Sequence, residues 1–305
     1  MLNIPHVPVL LKEVSDLFKN LKGGYFVDCT LGFGGHSEAV LENNPDVKLI
    51  GIDQDEEALN FAKKRLSKFS GRVEFVNKRA SEVLKELEGL EIAGILADIG
   101  VSSYQLDNEK RGFTFDSEEL DMRMNKNQKF SAKDVVNHYS KKDLERIFRD
   151  YAEERRYKKI ADFIIKNRPI YSNKELSEIL QKAGIRNKKN MAPVFQAIRI
   201  EVNDELKELE NLLQNAEKIA KNDTILGIIT FHSLEDRIVK NQFREWAKKC
   251  VCPPNAIRCE CGGNNQKGVI LTKKPITASK EEIEKNPRSR SAKLRAFKFL
   301  KEGEN

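Results

Sequence analysis

Val27-Asp28-Cys29-Thr30-Leu31-Gly32-Phe33-Gly34-Gly35-His36 is the stretch on which the fold turns. It follows the short apolar run Tyr25–Cys29 and precedes a helical pattern at Ser37–Asn43. Gly32, Gly34 and Gly35 fall within four residues. Glycine lets a backbone turn sharply and lets a ligand approach where a Cβ would intrude. Asp53 follows Gly32 by 21 residues, at the end of a second strand-like run, Leu49–Asp53. A carboxylate so placed can accept hydrogen bonds from both ribose hydroxyls of an adenosine.

Working outward, Glu56–Phe69 carries Ala58, Leu59, Ala62, Leu66 and Phe69 at helical spacing, and Val73–Val76 and Gly94–Asp98 are two more strands around helical Ser81–Leu87. Strand and helix in alternation imply a mostly parallel, Rossmann-like sheet with helices on both faces, joined by right-handed crossovers. From about Lys133 to Lys221 the pattern is helical, with Asp134–Asp150, Glu153–Lys166 and Ser172–Lys182, and Ser172 and Glu175 form a capping-box signature. A longer helix opens at Pro193 and carries Val194, Ile198, Val202, Leu206, Leu209, Leu213 and Ala216 on one apolar stripe, the pattern of packing core. Sheet character returns at Thr224–Thr230, then helical Leu234–Lys249 with Ser233 and Asp236 at N-cap and N3 spacing, then strands at Val269–Thr272 and Arg295–Leu300. The expected organisation is an α/β domain in two parts, residues 1–105 and 218–305, flanking an all-helical insertion at 106–217 that would serve as a substrate domain.

Composition narrows the class. Lys and Arg number 54 against 47 Asp and Glu, and the net +7 suits either a polyanionic partner or a lysine-rich solubilising surface. Nothing in the sequence is long and apolar enough to span a membrane, and Met1–Leu11 lacks the basic region and apolar core of a signal peptide. A cytoplasmic protein is expected. Cys29 stands in an apolar run, whereas Cys250, Cys252, Cys259 and Cys261 crowd one segment around Pro253-Pro254. That is not a disulfide scaffold. The tight C-x-C spacing favours reduced structural thiols, with zinc and redox pairing as the other readings.

The turn alone leaves two cofactors open, and also a turn that binds neither. NAD uses the same geometry, but wants the turn to open onto a helix N-terminus holding a pyrophosphate. S-adenosylmethionine wants acidic groups near its amino-acid end, a role Asp28 suits. Asp98 closes the fourth strand, where ligands of open α/β sheets bind, and is also placed to cap a turn.

Beyond Asp98 the chain resembles a known family. Asp98-Ile99-Gly100-Val101-Ser102-Ser103, Gln105-Leu106-Asp107, Arg111-Gly112-Phe113-Thr114-Phe115 and Leu120-Asp121-Met122-Arg123-Met124 are similar to motifs of the ribosomal RNA small-subunit methyltransferase H family, also called MraW. So are Pro193–Arg199, Phe231-His232-Ser233-Leu234-Glu235-Asp236-Arg237 and Arg288–Arg295, and the likeness runs from Pro5-His6-Val7-Pro8-Val9-Leu10 to about Phe299. The resemblance implies a class I S-adenosylmethionine-dependent methyltransferase with a helical insertion. It implies N4-methylation of a cytidine in the decoding region of small-subunit ribosomal RNA. The RNA or the assembled small ribosomal subunit would be the partner, no membrane would be involved, and a homodimer is left open. By motif it carries cofactor contacts to Gly34, Gly35, His36, Asp53, Ala80, Asp98 and Gln105, and no metal. The family often has an aromatic at the position of Ala80, so an adenine contact there would fall to the backbone.

Asp98, or a main-chain carbonyl beside it, is the candidate acceptor of the N4 hydrogen, although this chain lacks the Pro-Pro-aromatic sequence of many amino-methyltransferases. His232 and Glu235 fall beyond the fifth strand, as base contacts or as a helix cap with a buried histidine. Tyr104, Phe113 and Phe115 could stack on bases or anchor loops. Arg288, Arg290, Lys293, Arg295, Lys298, and Lys188 with Lys189, are candidates for phosphate contact or for a solvated charged face.

Overall fold

The computed structural model describes residues 8–300 apart from 254 and 257, so the Pro5–Val7 part of the N-terminal motif lies outside the described residues. The chain forms two compact units, residues 1–100 with 208–305, and residues 101–207.

The first unit is built on β1 (Tyr25–Asp28), β2 (Lys48–Ile52), β3 (Val73–Val76), β4 (Ile92–Asp98), β5 (Ile225–Thr230), β6 (Gly268–Ile270), β7 (Ile276–Thr277) and β8 (Lys293–Phe299). They form one sheet in the order β3-β2-β1-β4-β5-β8-β6, with β7 also pairing β8. Pairings among β1 to β5 are parallel. β8 runs antiparallel to β5, β6 and β7. The strands are apolar on both sides because helices cover both faces. Val27, Ile50, Ile95 and Ile228 point into one core with Leu209, Leu212, Leu213 and Ala216 of the helix Glu205–Ile219. Their neighbours Phe26, Leu49, Leu96 and Ile229 point into the other, with Val14, Phe18, Val40, Leu41 and Leu59. Alternation along each strand thus gives a helix–sheet–helix sandwich.

An aromatic cluster closes the first core under β8. Trp246 lies 5.7 Å from Phe243, 5.4 Å from Phe297 and 5.1 Å from Phe299, centroid to centroid. Its indole N–H donates to Glu217 Oε2 at 2.7 Å, so the ring is buried with its polar atom satisfied. Trp246→Phe is expected to lower unfolding free energy by about 1–3 kcal/mol through the lost hydrogen bond and lost contact. Urea unfolding measures it, and an unchanged midpoint would show that the cluster is not tightly packed.

The second unit is helical in every regular element described. Helices Ala132–His138, Lys141–Asp150, Tyr157–Lys166, Asn173–Lys182 and Lys188–Asn203 enclose Leu144, Ile147, Phe148, Ile160, Ile164, Leu180, Val194 and Ile198. Side-chain amides order its long loop. Asn173 Nδ2 donates to the Gly112 and Thr114 carbonyls, each at 2.7 Å. Asn203 Nδ2 donates to Met122 O at 2.8 Å, and Asn203 Oδ1 accepts from the Met124 N–H at 2.8 Å. The Arg111-Gly112-Phe113 and Leu120–Met124 motifs are therefore loop anchors in this unit. Phe115 stacks edge-on against Phe195 at 4.8 Å and Phe113 packs on the helical core, so neither ring is laid out as a free platform.

Local readings are corrected in three places. The apolar stripe from Val194 to Ala216 belongs to two helices, broken at Asp204, which adopts a left-handed φ of 53°. The first of them starts at Lys188, so Pro193 is its sixth residue and lies inside the helix, where it leaves the Lys189 carbonyl without its i→i−4 donor. The run Asp134–Asp150 is likewise two helices, parted where Ser140 caps the second.

Candidate active site at the C-terminal rim of β1, β2 and β4

Strand order reverses between β1 and β4, so the crevice beyond their carboxyl ends is where such a sheet takes a ligand. The turn after β1 is braced from inside. Asp28 is buried, accepting from Ser37 Oγ at 2.6 Å and from the Thr30 N–H at 3.2 Å. Burial pushes its carboxyl up from the ordinary range. Asp28 is thus a pin of the turn, engaged by the turn itself. Thr30 Oγ1 in turn accepts from the Asp98 backbone N–H at 2.6 Å, tying the turn to the end of β4. Gly34 takes a left-handed φ of 76° and caps the helix Gly35–Asn43. A Cβ on Gly35 would stand 2.3 Å from Pro8 Cγ, so only glycine fits there.

Asp53 follows β2 directly. Its Oδ2 accepts from the Gly32 N–H and its Oδ1 from the Asp55 N–H, each at 2.8 Å. A carboxylate has about four acceptor sites, so each oxygen keeps one for a hydroxyl. Burial pushes the Asp53 carboxyl up to about 6. Asn77 Nδ2 donates to the Asp53 carbonyl at 2.9 Å, fixing the loop after β3 beside it.

Asp98 and His36 bring buried polar atoms without hydrogen-bond partners to this rim. Both ring nitrogens of His36 and Oδ1 of Asp98 are buried with no hydrogen bond among the described residues. His36 Nε2 stands 3.7 Å from Asp98 Oδ2, too far for a hydrogen bond. Buried polar atoms left open in this way call for a polar ligand. The sign of that ligand follows from the rim. Asp28, Asp53 and Asp98 end three neighbouring parallel strands, a field that repels a pyrophosphate and attracts a cation. S-adenosylmethionine, which carries a sulfonium and an ammonium, fits this donor set, and NAD does not.

The structure brings Gly34, Gly35, His36, Asp53 and Asp98 to one rim. Ala80 is buried at the start of the helix Ala80–Glu86, after β3. Gln105 belongs to the helical unit, where its Oε1 accepts from the Ser102 N–H at 3.0 Å and its own N–H donates to Ser102 Oγ at 3.2 Å, a capping box on Ser103–Asp107. His232, rather than Ser233, caps the helix Ser233–Trp246, and its Nε2 lies 2.8 Å from Glu235 Oε1. Glu235 Oε2 accepts from the backbone N–H groups of Phe231 and His232, so one side of the pair serves the cap, while His232 Nε2 and Glu235 Oε1 are buried with no hydrogen bond among the described residues. Much of the basic run on β8 is neutralised at home. Arg295 is bidentate to Asp236 at 2.6 and 3.2 Å, Lys293 lies 3.6 Å from Asp236, and Lys298 pairs with Asp223 at 2.7 Å.

Sequence reasoning missed Glu208, whose carboxylate takes the Ser81 N–H at 2.9 Å and Ser81 Oγ at 2.7 Å, capping the helix that follows β3. A partner 127 residues away leaves no local signal. It also missed a groove of about 660 Å³ between the helix Ser233–Trp246 and the β6 edge, lined by Lys240, Phe243, Arg244, Lys249, Lys273 and Lys274.

Fold and rim together define a class I methyltransferase of the Rossmann-like type, a mostly parallel sheet carrying a carboxylate-rimmed glycine turn. The MraW methylase family matches residues 3–300, and the chain belongs to that family. It is 69% identical over 301 residues to the ribosomal RNA small subunit methyltransferase H of Nautilia profundicola, covering 98% of each chain. It is 55% identical to that of Aliarcobacter butzleri, covering 98% of this chain and 100% of the relative. Sulfurimonas denitrificans has one that is 53% identical, with 99% and 100% covered. As a methylase of this family the chain uses S-adenosylmethionine as its cofactor.

Proposed function

We propose that this chain transfers a methyl group from S-adenosylmethionine to N4 of a cytidine in the decoding region of 16S ribosomal RNA, taken as free RNA or within the small subunit. The observation that carries the reading is Asp98, whose buried Oδ1 has no protein partner at the rim where the methyl donor would sit. Bound S-adenosylmethionine supplies an electrophilic methyl on its sulfonium. The cytosine amino nitrogen is a poor nucleophile, because its lone pair is delocalised into the ring. The chain's task is to hold the amino group, turn its lone pair in line and take up the proton. Asp98 Oδ1 is the acceptor for one N–H. His36 and the far side of Asp98 hold the cofactor's amino-acid end, Asp53 its ribose, and Gly34 and Gly35 let it approach the backbone.

The groove lined by Lys240, Arg244, Lys249, Lys273 and Lys274 supports an RNA substrate, since these cations suit a phosphate backbone and none of them is ion-paired among the described residues. The small-subunit RNA substrate follows the relatives' names, and the N4 position follows the motif that begins at Asp98. The test is to incubate the chain with isotopically labelled S-adenosylmethionine and either naked 16S RNA or unmethylated small subunits. Nucleoside mass mapping should find N4-methylcytidine at one decoding-region site. A label on carbon or ribose, or none on either substrate, would overturn the reading.

A further inference from the structure

The cysteine segment is not absorbed by methyl transfer. It lies between the helix Ser233–Trp246 and β6, and from Lys249 to Lys267 no described side chain is buried. A loop of that length without a core has nothing apolar to hold it together. Its base is nevertheless clamped. The Asn265 N–H donates to the Lys249 carbonyl at 3.1 Å, Asn265 Nδ2 to the Cys261 carbonyl at 2.9 Å, and the Lys267 N–H to the Trp246 carbonyl at 2.7 Å.

Within the loop the four sulfurs converge. Cys250 Sγ lies 3.7 Å from Cys259 Sγ and 3.6 Å from Cys261 Sγ, and Cys259 Sγ lies 3.6 Å from Cys261 Sγ. Cys252 Sγ joins them, with all four within 4.8 Å of one another. No pair is bonded, since all four cysteines are free. A tetrahedron with zinc–sulfur bonds of about 2.3 Å has edges of about 3.8 Å, close to these separations. The two C-x-C arms also serve each other. The N–H of Val251, inside the first arm, donates to Cys261 Sγ at 3.4 Å, and the N–H of Glu260, inside the second, donates to Cys252 Sγ at 3.3 Å. N–H groups aimed at sulfur favour the thiolate, the form that binds metal. The tight spacing that argued against zinc in the sequence is met by two arms facing each other, with one residue of each turned to donate across.

We propose that Cys250, Cys252, Cys259 and Cys261 hold one structural zinc ion, which staples this loop at the edge of the basic groove. Lys249, immediately before the first ligand, lines that groove. Four thiolates leave no open position, so the ion orders the loop and takes no part in chemistry. Metal binding would supply the folding free energy that burial does not.

The test uses the full chain purified under reducing conditions without chelator. Elemental analysis should find about one zinc per chain, released on titration with an organomercurial. Cobalt(II) added to the demetallated chain should give the visible bands of a tetrahedral thiolate site. Cys252→Ser with Cys261→Ser should abolish zinc and the cobalt spectrum, and raise protease cleavage between residues 249 and 267. Cys29→Ser, at a buried position outside the cluster, should keep the metal. Should the double variant fail to fold, the wild-type zinc content and cobalt spectrum decide alone. Four freely titrating thiols with no zinc, a disulfide between the arms in the freshly isolated protein, or bound iron in place of zinc would each overturn the proposal.

Discussion

Alanine at Asp98 is expected to leave a folded chain that transfers methyl groups about 10²–10³-fold more slowly, the usual cost of removing one preorganised polar group from a reacting centre. Folding should survive because what joins Asp98 to the turn is its backbone N–H, bonded to Thr30 Oγ1 at 2.6 Å, and alanine keeps that bond. The carboxylate itself makes no hydrogen bond through Oδ1, so its removal orphans nothing. The fall should appear in kcat at saturating S-adenosylmethionine, with a smaller rise in cofactor KM from the weakened cationic attraction of the rim. Asp98→Asn keeps one acceptor oxygen but not the charge, and should recover part of the rate. Single-turnover transfer measured on both variants separates the effects. Near-normal turnover in Asp98→Ala would place the proton acceptor elsewhere and leave Asp98 as a cofactor contact.

How far the site was legible depended on whether its parts were local. The turn, Asp53 and Asp98 sit at strand ends, and strand ends are read from where apolar runs stop. β1 to β5 and β8 were visible for that reason. β7 was not, because Ile276 and Thr277 are both exposed and two residues carry no periodicity. The break at Asp204 was hidden because the helices before and after it keep apolar residues at steps of three or four, so the stripe runs on unbroken. The bond that marks the corner is an ion pair, Arg199 to Glu205 at 2.7 and 2.9 Å, and residues six apart do not share a face of a continuous helix, so the pair forms only because the chain breaks between them. Asp28 read as a cofactor group from its position alone. Only coordinates show Ser37 folding back onto it. The basic run on β8 reads as a phosphate surface in sequence, and becomes largely structural once Asp236 and Asp223 are brought beside it. The four cysteines went the other way. Linear spacing made zinc the weaker reading, and the crossing of two arms in space makes it the stronger.

Alanine at Asp53 is expected to weaken S-adenosylmethionine binding by about 10²–10⁴-fold, from two lost hydrogen bonds to a charged acceptor at about 1.5–3 kcal/mol each. The loss is compounded inside the protein. Gly32 and Asp55 would each lose an acceptor for a backbone N–H, so the turn as well as the ribose contact is loosened. Asp53→Asn removes the charge and keeps one acceptor oxygen, so one of the two backbone N–H groups keeps its partner and the loosening of the turn is smaller than in alanine. The pH dependence gives an independent check. Burial holds the Asp53 carboxyl up at about 6, above its ordinary range. A ligand whose hydroxyls donate to the carboxylate binds the ionised form, and must displace the proton below that value. Affinity should therefore be flat above pH 7 and fall as pH drops through 6 towards 5, with proton release on binding in that window. Calorimetry in two buffers of different ionisation enthalpy measures the release directly. In Asp53→Asn the fall should disappear while affinity stays low throughout. An unchanged pH profile in that variant would move the titrating group away from Asp53, and with it the adenosine end of the cofactor.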